Sequence, residues 1–570
     1  MQNLFNCTCN YSNNMNLKLY ALKNAVTHDG KAVAGAIVPK ALGENPKLKS
    51  DMKKLMAEIN KAVTEVNKMS LDNQKKELLK LDEHALDKKE EVHELPEIPN
   101  IKKKKCSFRL PPGPEKQLHI GHALSFLLND YYAKKYEGKL ILRFEDTNPE
   151  KCKLEYVKGI REDLTALGIN YDEEYFLSDK MHNYYDYAEN LIKTENAYAC
   201  VCPKKSDEDE GFSKKRCSCA DKDVNWSLRH WNKMKYGTYR EGECVLRLKG
   251  DMKSKNSAMW DPVIFRINKT KHYRQGNKYF IWPMYDFTAA IEDSLITHVL
   301  RDSNWTQRVE LQDYIRLKCG IKVNPENVLY SRYELQGGVT KGRVIRKLVE
   351  EGVVSGYDDI RLTTVKGFLR KGIQVETLRE LLIELGITKS KRTIPMDKIY
   401  AINRRVLEKK VNHYQAIKPE NSMKLTVKNC PETIINPLNN HSKDSIEIKL
   451  NGEFIINKLD KNVKSVRLKN GFSVNISKND GKEAVSDYEA GEFEKGMNIV
   501  SWISNNNTQI KVIEGLPLMN DKGEINKNSL ITHKLIIEKS VNELPVGTIA
   551  VFEKFGFCKK EADNWIFIHE

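Results

Sequence analysis

The amino-acid sequence predicts a multidomain α/β protein, and three observations lead to that fold class. Its 570 residues exceed one ordinary hydrophobic core, so several domains are expected. Near the N-terminus the apolar residues recur mostly every three, four or seven positions, and near residue 106 this pattern gives way to a β-loop-α-β pattern. After Met423 the pattern changes again to short alternating runs separated by turn residues, which are typical of β-barrels.

The N-terminal part is predicted to be helical. Residues 16–81 show helical spacing, which is interrupted at Gly43 and Pro46. A charged linker, Asp87–Lys105, follows and contains two prolines. We therefore assign residues 1–100 to an N-terminal helical domain and its linker.

A domain with a parallel sheet is predicted to come next. Two short apolar runs, Cys106–Leu110 and Leu140–Phe144, flank a stretch of helical spacing, His119–Lys135. Such a unit begins a doubly wound parallel sheet, because a strand, a crossover helix and a parallel strand follow one another. We assign residues 101–325 to this domain and place an insert at about 193–280.

The remainder of the chain divides into a helical region, 326–419, and a β-rich region, 420–570. The first is rich in Leu, Arg and Lys, whereas the second contains many short runs with strand character. The predicted strands in the second region are Lys424–Val427, Ile446–Leu450, Val466–Leu468, Phe472–Ile476, Ile510–Ile513, Leu535–Ile537, Thr548–Phe552 and Trp565–Ile568.

Composition limits the location and the partners of the chain. It has no run of about 18 apolar residues, which argues against a membrane span, and Met1–Tyr20 lacks the apolar core of a signal peptide. A cytoplasmic location is therefore expected. The formal net charge of +16 suits a polyanionic partner such as nucleic acid. It is equally compatible with lysines spread over solvated surfaces, so charge alone does not decide.

The sequence His119-Ile-Gly121-His122 is the strongest functional signal. It follows the first predicted strand and a proline-rich turn that begins at Arg109 and ends at Pro114. A helix that begins there presents free N–H groups and the positive end of its dipole to an anion. The two imidazoles can donate to phosphate oxygens, and Gly121 leaves room for an adenine base. A nucleotide site is therefore predicted here, against the alternative of two surface histidines at a helix start.

A glycine-rich segment, Gly337–Gly342, contains Thr340 and Lys341. Its glycines favour a mobile loop, and a lysine on such a loop can meet charge that develops on a phosphate group. Read alone, the segment is also compatible with an ordinary glycine-rich turn. The chain has no Gly-x4-Gly-Lys-Ser/Thr motif, so a P-loop nucleotidase is not supported.

Four of the twelve cysteines form two close Cys-x-Cys pairs, Cys200 with Cys202 and Cys217 with Cys219. Two short thiolate knuckles suit tetrahedral Zn²⁺ in a closed structural site. The alternative is four reduced surface thiols. The other cysteines are scattered or lie in the N-terminal tail, so a disulfide framework is not expected.

These motifs, together with Arg143-Phe-Glu-Asp-Thr-Asn-Pro149, resemble the catalytic domain of the glutamyl- and glutaminyl-tRNA synthetases of class I. The likeness extends over nearly the whole chain and is strongest to the archaeal and eukaryotic type of glutamyl enzyme. It implies a Rossmann-like catalytic domain, an insert that approaches the acceptor end of tRNA, a stem-contact region and barrels that bind the anticodon. It also implies ATP with Mg²⁺, an aminoacyl-adenylate intermediate and tRNA(Glu) as partner.

The resemblance also indicates which amino acid is bound. Arg109 and Arg301 match arginines of the amino-acid pocket, and the guanidinium group suits the side-chain carboxylate of glutamate. Tyr285 matches a tyrosine that borders this pocket, and Glu145 matches the carboxylate that holds the α-ammonium group. Arg301 has an alternative role, in which it pairs with Asp293 or Asp302 and does not meet substrate.

By the same likeness the segment Gly337–Gly342 takes the place of the family's mobile loop of the Lys-Met-Ser-Lys-Ser type, which closes over ATP, although only the pair Thr340-Lys341 is kept. The likeness implies that His119, His122 and Lys341 stabilise the reacting phosphate, while Gly121 and Thr340 contribute to the ATP site. Glutamate is the expected amino acid. A glutaminyl enzyme and a relaxed enzyme that also charges tRNA(Gln) are alternatives within the family. A more distant alternative is a synthetase-like protein that binds tRNA without catalysis.

Overall fold

The computed structural model divides into two compact units, residues 1–93 and residues 94–570. None of the described helices is long and apolar enough to cross a membrane. The residues that the structure describes are 17–28, 30–44, 51–82, 85, 94–202, 215–339, 341–389, 392–439, 444–489, 497–520 and 524–570.

The first unit is helical, as the spacing of its apolar residues predicts. Asp51 and Ser70 cap two of its helices, because their side chains accept hydrogen bonds from backbone N–H groups three residues on. Leu22 and Ile59 are completely buried in the core between the helices. The helices are α1 (Leu17–Thr27), α2 (Ala34–Glu44), α3 (Met52–Asn67) and α4 (Leu71–Leu81).

The second unit opens with the predicted β-loop-α-β pattern, which the structure confirms. The first three strands form a parallel sheet in the order β1-β2-β3. The helices between them cross over as a doubly wound sheet requires. The elements are β1 (Ser107–Leu110), α5 (Ile120–Lys135), β2 (Lys139–Phe144), α6 (Leu154–Ala166), β3 (Glu173–Phe176) and α7 (Met181–Lys193).

An antiparallel sheet follows in the part of the chain assigned to the insert. Its strands run in sequence order from β4 to β7, and Trp231 of its helix is completely buried against them. The elements are β4 (Ala197–Cys200), α8 (Val224–Lys235), β5 (Val245–Leu248), β6 (Val263–Ile267) and β7 (Ile281–Pro283).

The chain then returns to the parallel sheet. Strands β8 and β9 are parallel to each other. Side-chain bonds place β8 next to β1, because the Ser107 N–H donates to the Thr297 hydroxyl at 2.8 Å and the Thr297 N–H donates to the Ser107 hydroxyl at 3.0 Å. The elements of this return are α9 (Tyr285–Asp293), β8 (His298–Asp302), α10 (Thr306–Lys318) and β9 (Glu326–Tyr330).

A mostly helical region packs on the same core. Phe368, Leu378 and Ile399 are buried in one hydrophobic cluster with Leu124 and Leu127 of α5. The elements are β10 (Tyr333–Leu335), α11 (Gly342–Glu350), α12 (Val365–Lys371), α13 (Val375–Leu385), β11 (Arg392–Ile394) and α14 (Met396–Glu408), with β10 and β11 paired in parallel.

Two barrel-like sheets form the C-terminal part, in agreement with the predicted class of fold. One has the order β20-β17-β18-β19-β13-β16-β21, and the other has the order β12-β24-β25-β26-β22-β23. Strands β14 (Thr433–Pro437) and β15 (Ser445–Lys449) pair with each other in a separate two-stranded sheet. The other elements of this part are β12 (Asn412–Tyr414), β13 (Ser422–Lys428), β16 (Glu453–Asn457), β17 (Ser465–Leu468), β18 (Ser473–Asn479), β19 (Glu483–Glu489), β20 (Asn498–Val500), β21 (Trp502–Ser504), β22 (Asn507–Gly515), β23 (Leu530–Glu538), α15 (Lys539–Asn542), β24 (Ile549–Phe552), β25 (Gly556–Lys560) and β26 (Trp565–His569).

Each predicted C-terminal run overlaps one of these strands. The second sheet is less separate from the helical region than the predicted division at 419/420 suggests. Asn412–Tyr414 pairs with Ala550–Phe552, and Phe557 and Ile568 belong to the hydrophobic cluster around α5. These contacts join the last strands to the core that carries the candidate site.

Candidate active site

The histidine pair lies at the N-terminus of α5, where the sequence places it. His119 caps the helix, and its Nδ1 accepts a hydrogen bond from the Gly121 N–H at 3.1 Å. In return, Nδ1 of His122 accepts a hydrogen bond from the His119 N–H at 3.2 Å. The two ring centroids are 3.8 Å apart. This reciprocal cap fixes both rings side by side.

The protonation of the two rings follows from these bonds. Burial lowers the pKa of His119 to about 3 and that of His122 well below its usual range, with Lys116 and Arg332 adding to the effect on both. Both rings are therefore neutral near pH 7. Because each Nδ1 accepts a backbone N–H, the single ring proton lies on each Nε2. The pair thus offers two Nε2–H donors for phosphate oxygens.

The backbone at this terminus differs from the sequence-based expectation. The Ile120 N–H donates to the Thr363 carbonyl at 2.9 Å, and the Gly121 N–H is taken by His119. The expectation that these N–H groups are free for an anion is therefore wrong, since the cap and the neighbouring chain engage them. A Cβ atom at Gly121 would lie 3.2 Å from the Tyr333 carbonyl oxygen and 3.0 Å from the His119 ring. A side chain at this position would therefore press on the His119 ring and on the Tyr333 carbonyl.

The glycine-rich segment ends at the start of α11. Lys341 is the N-cap residue of that helix, and its carbonyl accepts the Val344 N–H at 2.9 Å and the Ile345 N–H at 3.1 Å. Its side chain is exposed and makes no hydrogen bond or ion pair with a residue that the structure describes. A Cβ atom at Gly342 would lie 2.6 Å from the Lys116 side chain, so α11 begins close to the residues that follow the proline-rich turn. Arg346 donates to the Glu115 carbonyl at 2.8 Å. Thr340 lies outside the described residues.

Three arginines converge on the carboxylate of Asp293 at the carboxyl ends of neighbouring strands. The Nε of Arg109 donates to it at 3.0 Å, and Nη1 of Arg143 donates at 2.8 Å. Nη2 of Arg301 donates to its second oxygen at 2.6 Å. Asp293 is completely buried. Although burial alone raises a carboxyl pKa, the three guanidinium groups hold the pKa of Asp293 well below its usual range.

The cluster contains more positive than negative charge. Arg143 also donates to Glu145 at 2.7 Å, so three guanidinium groups face two carboxylates among the described residues of the cluster. The nearby carboxylates of Asp286 and Glu292 already form ion pairs with Arg308 and Lys180, respectively. A surplus cation in a buried place is costly unless an anion joins it. The cluster is therefore suited to bind a carboxylate.

Tyr285 lies near Arg301 at this cluster. Nη1 of Arg301 donates to Gln312 at 2.8 Å, while its Nε–H is buried without an acceptor among the described residues. The Tyr285 ring packs on Trp305 with centroids 5.0 Å apart. Burial and the nearby carboxylate of Glu145 raise the pKa of Tyr285, so its phenol stays protonated and can donate a hydrogen bond.

The loop after β2 holds Glu145 at the edge of the cluster. The Glu145 N–H donates to the Pro112 carbonyl at 3.0 Å, which joins this loop to the proline-rich turn. The next residue, Asp146, accepts hydrogen bonds from the N–H and the hydroxyl of Ser178, both at 2.8 Å. These bonds fix the backbone on both sides of the Glu145 carboxylate. Burial raises the pKa of Glu145 despite the adjacent Arg143.

The four cysteines of the two Cys-x-Cys pairs meet in the insert, with all four Sγ atoms within 4.8 Å of one another. The Sγ of Cys202 lies 3.1 Å from that of Cys217 and 3.7 Å from that of Cys219, and the Sγ of Cys200 lies 3.7 Å from that of Cys217. Tetrahedral zinc with Zn–S bonds of about 2.3 Å separates its sulfurs by about 3.8 Å. The donor set and its spacing therefore fit one structural Zn²⁺.

The structure thus brings Arg109, Glu145 and Arg301 into one charged cluster, and it places the histidine pair at the helix that follows β1. Sequence reasoning considered Asp293 only as an alternative partner of Arg301 and did not identify it as the centre of three ion pairs. The available signal was an acidic residue at the end of a helix beside an arginine-bearing strand. Such a signal is common in protein sequences, and it does not tell which arginines the acidic residue will contact in the fold.

Comparison with known proteins agrees with this geometry. The family described as tRNA synthetases class I (E and Q), catalytic domain, matches residues 105–409. A glutamate–tRNA ligase of Nitrosopumilus maritimus is 36% identical, over 97% of this chain and 99% of its own length. Those of Pyrococcus abyssi and Methanocaldococcus jannaschii are 35% and 34% identical, over 95% and 96% of this chain and 96% and 98% of their own. Sequence and site together show that the chain belongs to the class I tRNA synthetases of the glutamate and glutamine family.

Proposed function

We propose that this protein attaches glutamate to tRNA(Glu) in two ATP-dependent steps. The observation that carries the proposal is the buried cluster of Arg109, Arg143 and Arg301 with its surplus positive charge. This cluster lies at the carboxyl ends of the parallel strands, which is where open α/β sheets bind their ligands. Similarity to glutamate–tRNA ligases over nearly the full chain supports it.

The proposed glutamate site uses charge and shape together. Arg301 and Arg109 pair with the side-chain carboxylate, which balances the surplus charge of the cluster. The Glu145 carboxylate holds the α-ammonium group. Tyr285 closes one side and offers its phenol as a donor. A neutral glutamine side chain would leave the surplus cation unbalanced, so the site favours glutamate.

The proposed ATP site is built from the histidine pair and the glycine-rich loop. In the first step an oxygen of the substrate α-carboxylate attacks the α-phosphorus of ATP, and pyrophosphate leaves with its bonding electron pair. The Nε2–H groups of His119 and His122 donate to the phosphate oxygens, Gly121 permits close approach, and Thr340 and Lys341 meet the departing phosphates. Mg²⁺, bound together with ATP, spreads the phosphate charge.

In the second step the 2′-hydroxyl of the terminal tRNA adenosine attacks the glutamyl carbonyl carbon. AMP leaves, and the hydroxyl proton is released. Cys200, Cys202, Cys217 and Cys219 would hold Zn²⁺ and keep the two knuckles of the insert together, without a part in the chemistry. The reaction serves protein synthesis, so we assign the enzyme to the cytoplasm.

Charging of tRNA transcripts tests this proposal. Purified protein, ATP and radiolabelled glutamate or glutamine are incubated with tRNA(Glu) or tRNA(Gln). Glutamate on tRNA(Glu) is the expected product. Glutamate on both tRNAs would identify a relaxed enzyme, and glutamine on tRNA(Gln) a glutaminyl enzyme. The absence of any charged tRNA would contradict a synthetase function and leave a tRNA-binding role.

A further inference from the structure

Thr363 lies between the two segments assigned to ATP. Its backbone carbonyl accepts the Ile120 N–H at 2.9 Å, directly after His119. Its hydroxyl donates to the Val339 carbonyl at 2.6 Å, two residues before Lys341. A single buried residue thus holds both the start of α5 and the glycine-rich segment.

The methyl group of Thr363 makes a second contact with the glycine-rich segment. A Cβ atom at Gly338 would lie 2.7 Å from the Thr363 Cγ2, so only glycine lets the segment lie this close. Directly before the segment, the Gln336 N–H donates to the Ile394 carbonyl at 2.9 Å. The hydroxyl and the methyl group of Thr363 therefore fix the position of the segment at Val339 and Gly338.

The position of Thr363 is itself fixed by its neighbours. The Thr364 hydroxyl caps α12 by accepting the Gly367 N–H at 3.1 Å. The Val365 N–H donates to the Leu118 carbonyl at 3.1 Å, on the other side of the histidine motif. The chain from 363 to 365 runs along the histidine motif and is bonded to it on both sides of His119.

We propose that Thr363 is a positioning residue for amino-acid activation, which sets the place of the loop that carries Lys341 relative to the two histidines. The inference rests on the proposed function. The Lys341 side chain is exposed and has no partner among the described residues, and its backbone lies between α11, which it caps, and the segment held by Thr363. Its position therefore depends on that segment as well as on the helix. The histidines and Lys341 can act together only if they reach the same phosphate groups at the same time. A misplacement of about 1 Å lowers the reaction rate about a hundredfold.

The first test compares three single substitutions by pyrophosphate exchange with tRNA present. Thr363→Val keeps the shape but removes the donor, which leaves the buried Val339 carbonyl unpaired. Because the segment that carries Lys341 is then misplaced, we expect kcat/KM for ATP to fall roughly 10- to 100-fold, with KM for glutamate and the affinity for tRNA unchanged. Thr363→Ser keeps the donor and should stay within about threefold of the wild type. Thr377→Val is the matched control, because it removes a buried threonine hydroxyl that bonds to Asn403 at 2.8 Å, away from both motifs.

The second test uses the contact between Thr363 and Gly338 and does not depend on the valine variant. Gly338→Ala should lower kcat/KM for ATP, because its methyl group displaces the segment. Adding Thr363→Ser removes the Cγ2 atom and should restore most of the loss. The inference is overturned if Thr363→Val behaves like Thr377→Val, or if the double variant is no better than Gly338→Ala. A wild-type protein without exchange activity would instead contradict the proposed function.

Discussion

The carboxylate of Asp293 accepts a hydrogen bond from the Arg301 guanidinium at 2.6 Å, and both side chains are buried. Pairing with Asp293 was the alternative to a role for Arg301 in substrate binding. Because Arg109 and Arg143 share the same carboxylate, Asp293 cannot neutralise all three arginines. The pairing orients Arg301 and leaves net positive charge, so it is compatible with recognition of a carboxylate substrate.

Replacing Arg301 by glutamine should damage the use of glutamate far more than that of glutamine. A buried ion pair broken on one side costs roughly 3–5 kcal/mol, or about two to four decades in kcat/KM for glutamate. Without the surplus positive charge, binding of the neutral glutamine side chain no longer leaves a buried cation unpaired. Steady-state exchange kinetics with both amino acids measure the preference ratio, which should move toward glutamine.

Arg316→Gln is the control for Arg301. Arg316 is also buried, but it donates to Asp313, to Asn324 and to the Ala290 carbonyl, none of which belongs to the arginine cluster. Its loss should lower stability and leave the preference ratio unchanged. Arg301→Lys should rescue only in part, because an ammonium lacks the planar fork of guanidinium. A parallel loss for glutamate and glutamine in Arg301→Gln would show that Arg301 is structural.

Substitutions of the histidines should separate the role of Nδ1 in capping the helix from the role of Nε2 in activation. His119→Ala or His122→Ala should reduce activation by roughly 10²–10³-fold. Asparagine places a carbonyl near the Nδ1 position, so His119→Asn should keep the helix cap and the fold but lose activation. Glutamine reaches toward the Nε2 position, so His122→Gln should retain more activity than His122→Asn. Pyrophosphate exchange and thermal unfolding measured on each variant separate the two effects.

His298 provides the comparison for these variants. It is buried on β8 and bonds to Thr297 and to the Pro99 carbonyl. His298→Asn should therefore change stability more than activation. If His119→Ala and His122→Ala both kept activation within about threefold of the wild type, the histidine pair would have no part in the mechanism.

Metal analysis of the purified protein should find about one zinc per chain. Cys217→Ser should release it, because three thiolates and a hydroxyl form a weaker site. Cys244→Ser is the matched control, since Cys244 is buried in the same insert but is not one of the four clustered thiols. Mild acidification should also release the metal, because the ligands must stay deprotonated. Full stability with no metal bound would refute a structural zinc.

The stability of the protein should depend on pH through Asp163. This residue is buried, and burial raises its pKa to about 7, although Lys366 and a hydrogen bond from the Leu118 N–H act in the opposite direction. A raised carboxyl pKa stabilises the fold while the group is protonated, and this contribution is lost as pH rises from about 4 to about 7. Asp163→Asn removes the titration and keeps an acceptor for Leu118.

The unfolding free energy of Asp163→Asn relative to the wild type should therefore increase with pH over that interval, by up to about 1.4 kcal/mol per pH unit. Above about pH 7 the difference should level off. Denaturant unfolding at several pH values measures it. A difference that does not change with pH would show that Asp163 titrates normally in the folded protein.

The sequence predicts the order of the elements well, because each local signal has a local cause. The helix after His119 begins at Ile120, since the histidine side chain caps it. The short strands after Met423 alternate buried and exposed residues, as in Ser422–Lys428. Strands such as Thr433–Pro437, whose alternation is weaker and more exposed, escape the same reasoning.

Long-range partners could not be predicted in this way. The bond from Ile120 to Thr363 spans more than two hundred residues, and no local pattern encodes its register. The same holds for Arg109 of β1 and Asp293 at the end of α9, which are far apart in sequence and meet only in the fold. Sequence motifs therefore indicate which residues are candidates for binding and catalysis, whereas the charge balance of the site can be determined only from the folded structure.

Pyrophosphate exchange with tRNA present, run with glutamate and glutamine in parallel, tests the central claim most directly. A surplus positive charge around Asp293 should make the exchange depend on a carboxylate side chain. We expect ATP-dependent exchange with glutamate and a kcat/KM for glutamine that is lower by at least about a hundredfold, as for a buried cation left unpaired. Equal exchange with the two amino acids, or exchange with glutamine alone, would contradict the account.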